Sequence, residues 1–382
     1  MRLLLATTAN AGHFGPMVPF ADAWRRAGHE VLVAAPASFA GAVERAGLRH
    51  WPCPDVAPDD RIAFLTRFAS ILKEKRNELT VTMGAELGAR STLPAMLAAF
   101  DQWRPDVVLR EIGELSSAIA GELRGVPVVQ VLIGLAKFVD FTVPLAAPAV
   151  ADLRASHGLD PDPEGGYLYR QPSLSLLPSS FEEPGAPPVH RFRVPAGVAA
   201  PLPRWWDGAD APLVYVTFGT VASGVPFAAT AFRTVVEAVA DLPARVLVTV
   251  GDDGDPGGFG TLPPNVHVER WVPQRDVLAQ AALMVNHGGT GTMLGALAAG
   301  VPMVVVPQFA DQPDNAARIA ATGAGLSIGD GETRPPTTAE VHAAVAKVLA
   351  GESYRTAVAG FRDEIAALPP VDEAVPLLAA GG

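Results

Sequence analysis

Short apolar runs alternate with helix-length amphipathic stretches along most of the chain. In the first half, residues 3–6 read as a buried strand and 16–26 as a helix, with Pro16 near its first turn and Gly28 as its stop. Residues 30–34 read as a second strand and 38–46 as a second helix. Residues 107–109 and 128–131 read as further strands with a helix over 116–123 between them. A second series begins at Leu213, with strands over 214–217, 246–250, 266–268, 283–285 and 303–306 and helices over 227–240, 292–299 and 315–321. Between 161 and 206 the alternation fades into Pro- and Gly-rich sequence ending in Trp205-Trp206-Asp207, which reads as the end of a first domain and a linker.

Strands alternating with helices predict parallel sheets covered on both faces. Two such series in succession predict two α/β domains facing a central cleft. In open sheets of this kind ligands bind beyond the carboxyl ends of the strands. The loops after Ala6, Leu109, Thr217, Val285 and Val306 are therefore where chemistry is expected.

Composition narrows the picture. The 382 residues suffice for two cores, and 49% hydrophobic with 18% charged residues suits buried parallel strands. A net charge of −11 without a long basic run argues against nucleic acid as a partner. The single cysteine, Cys53, can form no internal disulfide and has no ligand cluster to join, which fits a reducing, cytoplasmic setting. The opening MRLLLATTAN is too short to span a membrane and lacks a basic leader region. The apolar stretch 293–307 is broken by Gly300 and Pro302, so no stable membrane insertion is expected.

Two segments carry candidate chemistry. The denser one runs Trp271-Val-Pro-Gln274, Asn286-His-Gly-Gly-Thr-Gly-Thr292, Gly300-Val-Pro302 and Pro307-Gln-Phe-Ala-Asp311-Gln312. Here a strand enters a glycine-rich loop and then a helix. Gly288, Gly289 and Gly291 let backbone N–H groups approach a phosphate, and the helix adds unpaired N–H groups and the positive end of its dipole. Thr290 and Thr292 add hydroxyl donors, and His287 sits at the mouth. The other segment is Asn10-Ala-Gly12-His13-Phe-Gly15-Pro16, between the first strand and the first helix. A neutral imidazole, with an ordinary pKa of roughly 6.5, suits proton abstraction from a hydroxyl. By residue type and position alone, His13 reads equally well as a capping or loop histidine.

These segments resemble the donor-site signature and the Gly-His-x-x-Pro motif of the family 1 glycosyltransferases, in particular their actinobacterial natural-product branch. The resemblance is specific over residues 271–325 and looser elsewhere. It implies the GT-B architecture: an N-terminal acceptor-binding Rossmann-like domain over 1–200, a C-terminal donor-binding one over 201–365, and a last helix over 366–382 crossing back to the first domain. It implies that Trp271 stacks on the base, with Val272 and Gln274 near base and pentose. His287 and the amides of Gly289, Thr290, Gly291 and Thr292 would hold the diphosphate, joined by Gly219 and Thr220, while Asp311 and Gln312 would bind sugar hydroxyls. His13 would be the general base of an inverting reaction. Its orienting acid ends the run Pro105-Asp-Val-Val-Leu-Arg110-Glu111, with Glu111 where aspartate is usual and Glu114 as the alternative.

The resemblance further implies no metal and no cofactor beyond a nucleotide-diphosphate sugar as co-substrate. Many UDP-sugar enzymes of the family carry a glutamate where this chain has Gly295, which favours a dTDP-sugar over a UDP-sugar. Asp253-Gly-Asp255 has the form of a metal-binding pair but lies in turn-rich sequence and reads as a surface loop. The expected acceptor is a small hydrophobic aglycone such as a polyketide. Phe14, Phe64, Phe68, Phe138 and Phe141 are candidates to line its site, each also readable as core. A monomer or homodimer is expected. The alternatives are a nucleotide-sugar epimerase of the same architecture and a non-catalytic partner protein.

Overall fold

The computed structural model of the chain describes residues 1–382 apart from 73–74, 207–209, 220–225, 252–253, 332 and 381–382. It divides into two compact units. The first comprises Met1–Leu177, Glu183–Pro195 and Pro369–Gly382, the second Pro178–Glu182 and Ala196–Leu368.

The first unit holds a parallel sheet of β1 (Arg2–Ala6), β2 (Glu30–Pro36), β3 (Arg49–Cys53), β4 (Val107–Glu111), β5 (Val128–Val131), β6 (Ser173–Ser175) and β7 (His190–Arg191), in the order β3-β2-β1-β4-β5-β6-β7. Leu3, Leu4 and Leu5 are fully buried, as expected of a central strand covered on both faces. The chain winds outward from β1 to β3, then returns to β4 on the other flank of β1. Strand order therefore reverses between β1 and β4, with Ala6 opposite Arg110 in register. A loop leaving either strand at that point opens into a crevice.

The second unit repeats the plan with β8 (Leu213–Thr217), β9 (Arg245–Thr249), β10 (Val266–Glu269), β11 (Ala281–Asn286), β12 (Met303–Val305) and β13 (Gly325–Ser327), in the order β10-β9-β8-β11-β12-β13. Here the order reverses between β8 and β11, with Thr217 opposite Asn286. Its core is packed from the buried valines of β8, β9, β11 and β12 against the helices Pro226–Ala240 and Thr338–Ala350.

The strands expected from periodicity are present. The stretch read as a linker is partly sheet, since β6 and β7 fall within 161–206. At three and two residues they are too short to show an alternation. A 28-residue helix, Arg76–Trp103, also lacked a clear signature because much of its buried face is alanine: Ala85, Ala89 and Ala99 alternate with Leu79, Leu93, Met96 and Phe100. The terminal segment packs on the first unit. Arg193 N–H donates to the Pro369 carbonyl at 2.9 Å, Val371 N–H to the Arg193 carbonyl at 3.1 Å, and Arg26 pairs with Asp372 at 2.9 Å. Among the described residues, no helix is long and apolar enough to cross a membrane.

Candidate functional site

Each sheet reversal gathers a cluster of polar groups. In the first unit, β1 exits through Thr7 and Thr8 into the short helix Ala11–Phe14, whose N-cap Asn10 accepts the Gly12 N–H at 2.8 Å. β4 exits at Glu111. The reversal sets these two exits side by side, and His13 Nδ1 lies 2.9 Å from Glu111 Oε2. Glu111 is fully buried, whereas the His13 side chain keeps 29% of its surface. Thr8 Oγ1 approaches the same Nδ1 at 3.2 Å. Thr8 N–H donates to Glu111 Oε1 at 2.9 Å and Gly113 N–H to Oε2 at 2.6 Å. Burial pushes the Glu111 carboxyl up, but the charge of His13 and the bonds from His13, Thr8 and Gly113 outweigh it and hold the group at about 2. Glu111 is thus an anion anchored to one ring nitrogen of His13, which fixes the tautomer and directs the other nitrogen elsewhere.

Glu114 has a different task. Its carboxylate accepts the Ser116 and Ser117 hydroxyls and the Ser117 N–H, so it caps the helix Ser116–Arg124. The buried Arg110 guanidinium braces the intervening turn through the carbonyls of Ile112 and Glu114, at 2.9 and 2.6 Å, and through Gln130 at 2.9 Å. Of the two candidate acids, Glu111 is the one against His13.

In the second unit, β11 runs through Asn286 and His287 into the helix Thr290–Ala299, whose N-cap is Gly289. No side chain caps this end. The amides of Thr290, Gly291 and Thr292 form the first turn and have no partner within the helix. His287 is wedged between two glycines: a Cβ at Gly289 would lie 2.5 Å from its Nε2, and one at Gly219 would lie 2.9 Å from its Cε1. Burial pushes the His287 imidazole down to about 4, so it is neutral near pH 7 and offers a hydrogen bond rather than a charge. Its Nδ1 is enclosed and bonds to none of the described residues.

Asp311 and Gln312 start the helix Gln312–Ala321, and Asp311 is tied to this loop. Thr290 Oγ1 donates to Asp311 Oδ2 at 2.8 Å, and Gln312 Oε1 accepts the Gln308 and Phe309 N–H groups at 2.9 and 3.2 Å. Gln274 Nε2 donates to the Thr292 carbonyl at 2.9 Å. Trp271 is 62% exposed, and Val272 beside it is half-buried. The second unit therefore gathers Gly219, Gln274, His287, Thr290 and Asp311 around one strand-to-helix loop. Thr220 lies outside the described residues, as does Asp253, while Asp255 accepts the Gly257 N–H at 3.0 Å as an ordinary turn cap.

The aromatic candidates divide. Phe14 is buried edge-on against Phe39, with ring centroids 5.6 Å apart, so its ring is spent inside the first unit. Phe64 and Phe68 pair on the helix Pro58–Ser70, which has no buried residue, and Phe141 is exposed. Phe138 is half-buried near the Lys137 ammonium. Sequence reasoning missed Thr8 and Asn315. Asn315 is fully buried and its Nδ2 reaches the Gly288 carbonyl, Thr290 Oγ1 and Asp311 Oδ2 at 2.8, 3.0 and 2.9 Å. Its position four residues after Asp311, on the same helix face, was the available signal. Among the described residues, no group of three or more His, Cys, Asp or Glu side chains is placed to hold a metal ion.

Comparison with known proteins agrees with this fold. Residues 233–380 match the family model described as erythromycin biosynthesis protein CIII-like, C-terminal domain, and residues 22–147 match its N-terminal counterpart. The chain is 33% identical to an L-demethylnoviosyl transferase of Streptomyces niveus over 93% of this chain and 94% of that one. Among solved structures, spinosyn rhamnosyltransferase SpnG, seen with thymidine diphosphate and with spinosyn aglycone, superposes with a TM-score of 0.84 at 26% identity, over 99% of this chain and 100% of that one. The glycosyltransferase VinC in complex with dTDP gives a TM-score of 0.79 at 26% identity, covering 100% and 99% of the two chains.

Proposed function

Since the chain belongs to the erythromycin biosynthesis protein CIII-like family of GT-B glycosyltransferases, which act on natural-product aglycones in antibiotic pathways, we propose that it moves a sugar from a dTDP-linked donor to a small hydrophobic aglycone such as a polyketide, inverting the anomeric centre without a metal. The observation that carries this reading is the His13–Glu111 pair at 2.9 Å.

With Nδ1 held by Glu111, His13 uses Nε2 to take the proton of the acceptor hydroxyl. The freed oxygen forms its bond to the anomeric carbon as the bond from that carbon to the diphosphate breaks. Buried Glu111 steadies the imidazolium that results. The departing nucleoside diphosphate carries its negative charge to the loop at His287, where the N–H groups of Thr290, Gly291 and Thr292 and the helix dipole receive it. Trp271 presents an exposed ring for the base, and Asp311 and Gln312 face the sugar. Gly295 offers no side chain to a ribose 2′-hydroxyl, and the thymidine diphosphate complexes of SpnG and VinC support a deoxyribonucleotide donor. Of the aromatic candidates, Phe64, Phe68, Phe138 and Phe141 remain as acceptor contacts.

A general base of this kind contributes about 10²–10⁴ in rate. His13→Ala should lower turnover by that factor while dTDP binding, measured by isothermal titration, stays unchanged. Near-normal turnover in this variant refutes the assignment. In the same titrations dTDP should bind the unmodified protein more tightly than UDP, and turnover should persist in chelator. Tighter UDP binding sinks the donor reading alone.

A further inference from the structure

Successive residues of a strand point to opposite faces of the sheet, and β4 ends on two charged ones, Arg110 and Glu111. Glu111 meets His13 on one face. Arg110 leaves on the other and is fully buried. The chain then turns, with Glu114 N–H donating to the Glu111 carbonyl at 3.2 Å. Ile112 and Glu114 are buried in this turn, so their carbonyls need donors from within the protein. Arg110 supplies them, Nη2 to the Ile112 carbonyl at 2.9 Å and Nε to the Glu114 carbonyl at 2.6 Å. The guanidinium is held in its turn by Gln130, its neighbour in register on β5, at 2.9 Å and by Gln171 at 3.1 Å.

The turn carries half of the Glu111 carboxylate's support. Gly113, inside it, sends its N–H back to Glu111 Oε2 at 2.6 Å, the oxygen that also meets His13 Nδ1. A Cβ at Gly113 would stand 3.2 Å from that oxygen and 3.5 Å from His13 Cε1, so turn, carboxylate and ring are in close contact. Gly113 is not among the positive-φ glycines, so close approach and not backbone strain is what glycine serves here. The cation behind the turn is costly to keep: burial pulls the Arg110 guanidinium below its ordinary range, against the favourable charges of Glu114 and Glu111. What arginine offers in return is a planar fork of N–H groups that grips two carbonyls and two side-chain amides at once.

We infer that Arg110 is a positioning residue for His13: it fixes the turn from behind, the turn fixes Glu111 through the Gly113 N–H, and Glu111 fixes the imidazole. This rests on the reading of His13 as the base. Arg110 takes no proton and meets no substrate in this scheme. Its loss therefore acts on the rate of the chemical step and not on nucleotide binding, which belongs to the second unit.

The test is a set of double-mutant cycles that place Arg110→Met, Arg110→Lys and Gly113→Ala with and without His13→Ala, read by kcat, donor KM and dTDP titration of the full chain. Arg110→Met should lower kcat about tenfold or more, since a misplacement of about 1 Å costs about 10²-fold, with donor KM and dTDP affinity unchanged. Arg110→Lys keeps the charge but cannot span both carbonyls, so it should lose nearly as much. In the His13→Ala background the same substitutions should leave the residual rate nearly unchanged, because residues that act as a unit are not additive. Histidine nitrogen NMR should show the neutral His13 ring in one tautomer in the unmodified protein and in a mixture in Arg110→Met. Gly113→Ala leaves the Arg110 side chain intact and should show the same non-additive loss at smaller size, so it decides the case if Arg110→Met does not fold. Equal losses with and without His13, full kcat in Arg110→Lys, or full kcat in Gly113→Ala overturn the inference alone. Near-normal turnover in His13→Ala by itself overturns the base reading and this inference with it.

Discussion

At the residue scale the two site histidines are set to opposite purposes. His13 keeps part of its surface in solvent and has a buried carboxylate as partner. His287 is enclosed, no carboxylate among the described residues pairs with it, and burial holds it neutral to about pH 4. The sign of its effect on stability follows. An unfolded chain protonates this residue near its ordinary value of 6.5, while the folded one does not until about 4. Between those values the unfolded state binds more protons, so the contribution is present above 6.5 and shrinks as pH falls. Lowering pH from 7 to 5 should cost the protein about 2 kcal/mol more than it costs His287→Gln. Urea midpoints at the two pH values measure this, and equal losses in both proteins contradict it. Glu111 behaves in the opposite pH range: its carboxyl, held at about 2, stabilises the fold above the ordinary 4.5, and that contribution disappears only as pH falls through about 2.

At the element scale the donor loop depends on how one helix is fastened to the next. The helix Thr290–Ala299 has no side-chain cap and so keeps its first amides available, and its loop is held instead from the side by Asn315. The two N–H groups of one buried amide are shared among the Gly288 carbonyl, Thr290 Oγ1 and Asp311 Oδ2 and tie them together. Asn315→Ala takes the side-chain donor from the Gly288 carbonyl and leaves Asp311 held by Thr290. Stability should fall by about 1–3 kcal/mol, the cost of stranded buried polar groups, and the KM for the donor should rise more than kcat falls. A donor KM equal to that of the unmodified enzyme would show that Asp311 holds its place without Asn315.

At the scale of the whole molecule, the first unit is closed by residues distant in the chain. Val371 is fully buried, Pro369 and Val371 bond Arg193, and Asp372 pairs with Arg26. Truncation after Ala367 removes these contacts together with the buried Ala374. The melting temperature of the first unit should fall by roughly 4 °C or more, since a loss of 1 kcal/mol already moves a unit of this size by about 2–4 °C. An unchanged melting curve would mean that the segment contributes nothing to the unit it packs on.

Much of this is legible in the sequence. Strand and helix periodicity located the long elements, because an alternating or 3.6-residue pattern needs only a few turns to register. The donor loop was legible for a local reason: its strand, glycines, histidine and helix start are contiguous from Asn286 to Thr292. The short β6 and β7 and the alanine-faced helix Arg76–Trp103 were not, since two or three residues show no period and alanine gives little contrast. Nor could the sequence choose between Glu111 and Glu114, three residues apart. That choice belongs to the reversal of strand order between β1 and β4, which sets the exit of one beside the exit of the other and brings Glu111 to His13 across 98 residues of chain. Glu114 is turned instead to cap a helix. The same reversal between β8 and β11 brings Gly219 against His287, and only packing in three dimensions shows Gln274 occupying the space above Gly295. Local pattern determines which residues can do chemistry. Sheet order decides which of them meet, because a pairing between distant segments depends on the path of the backbone and leaves no period in the sequence.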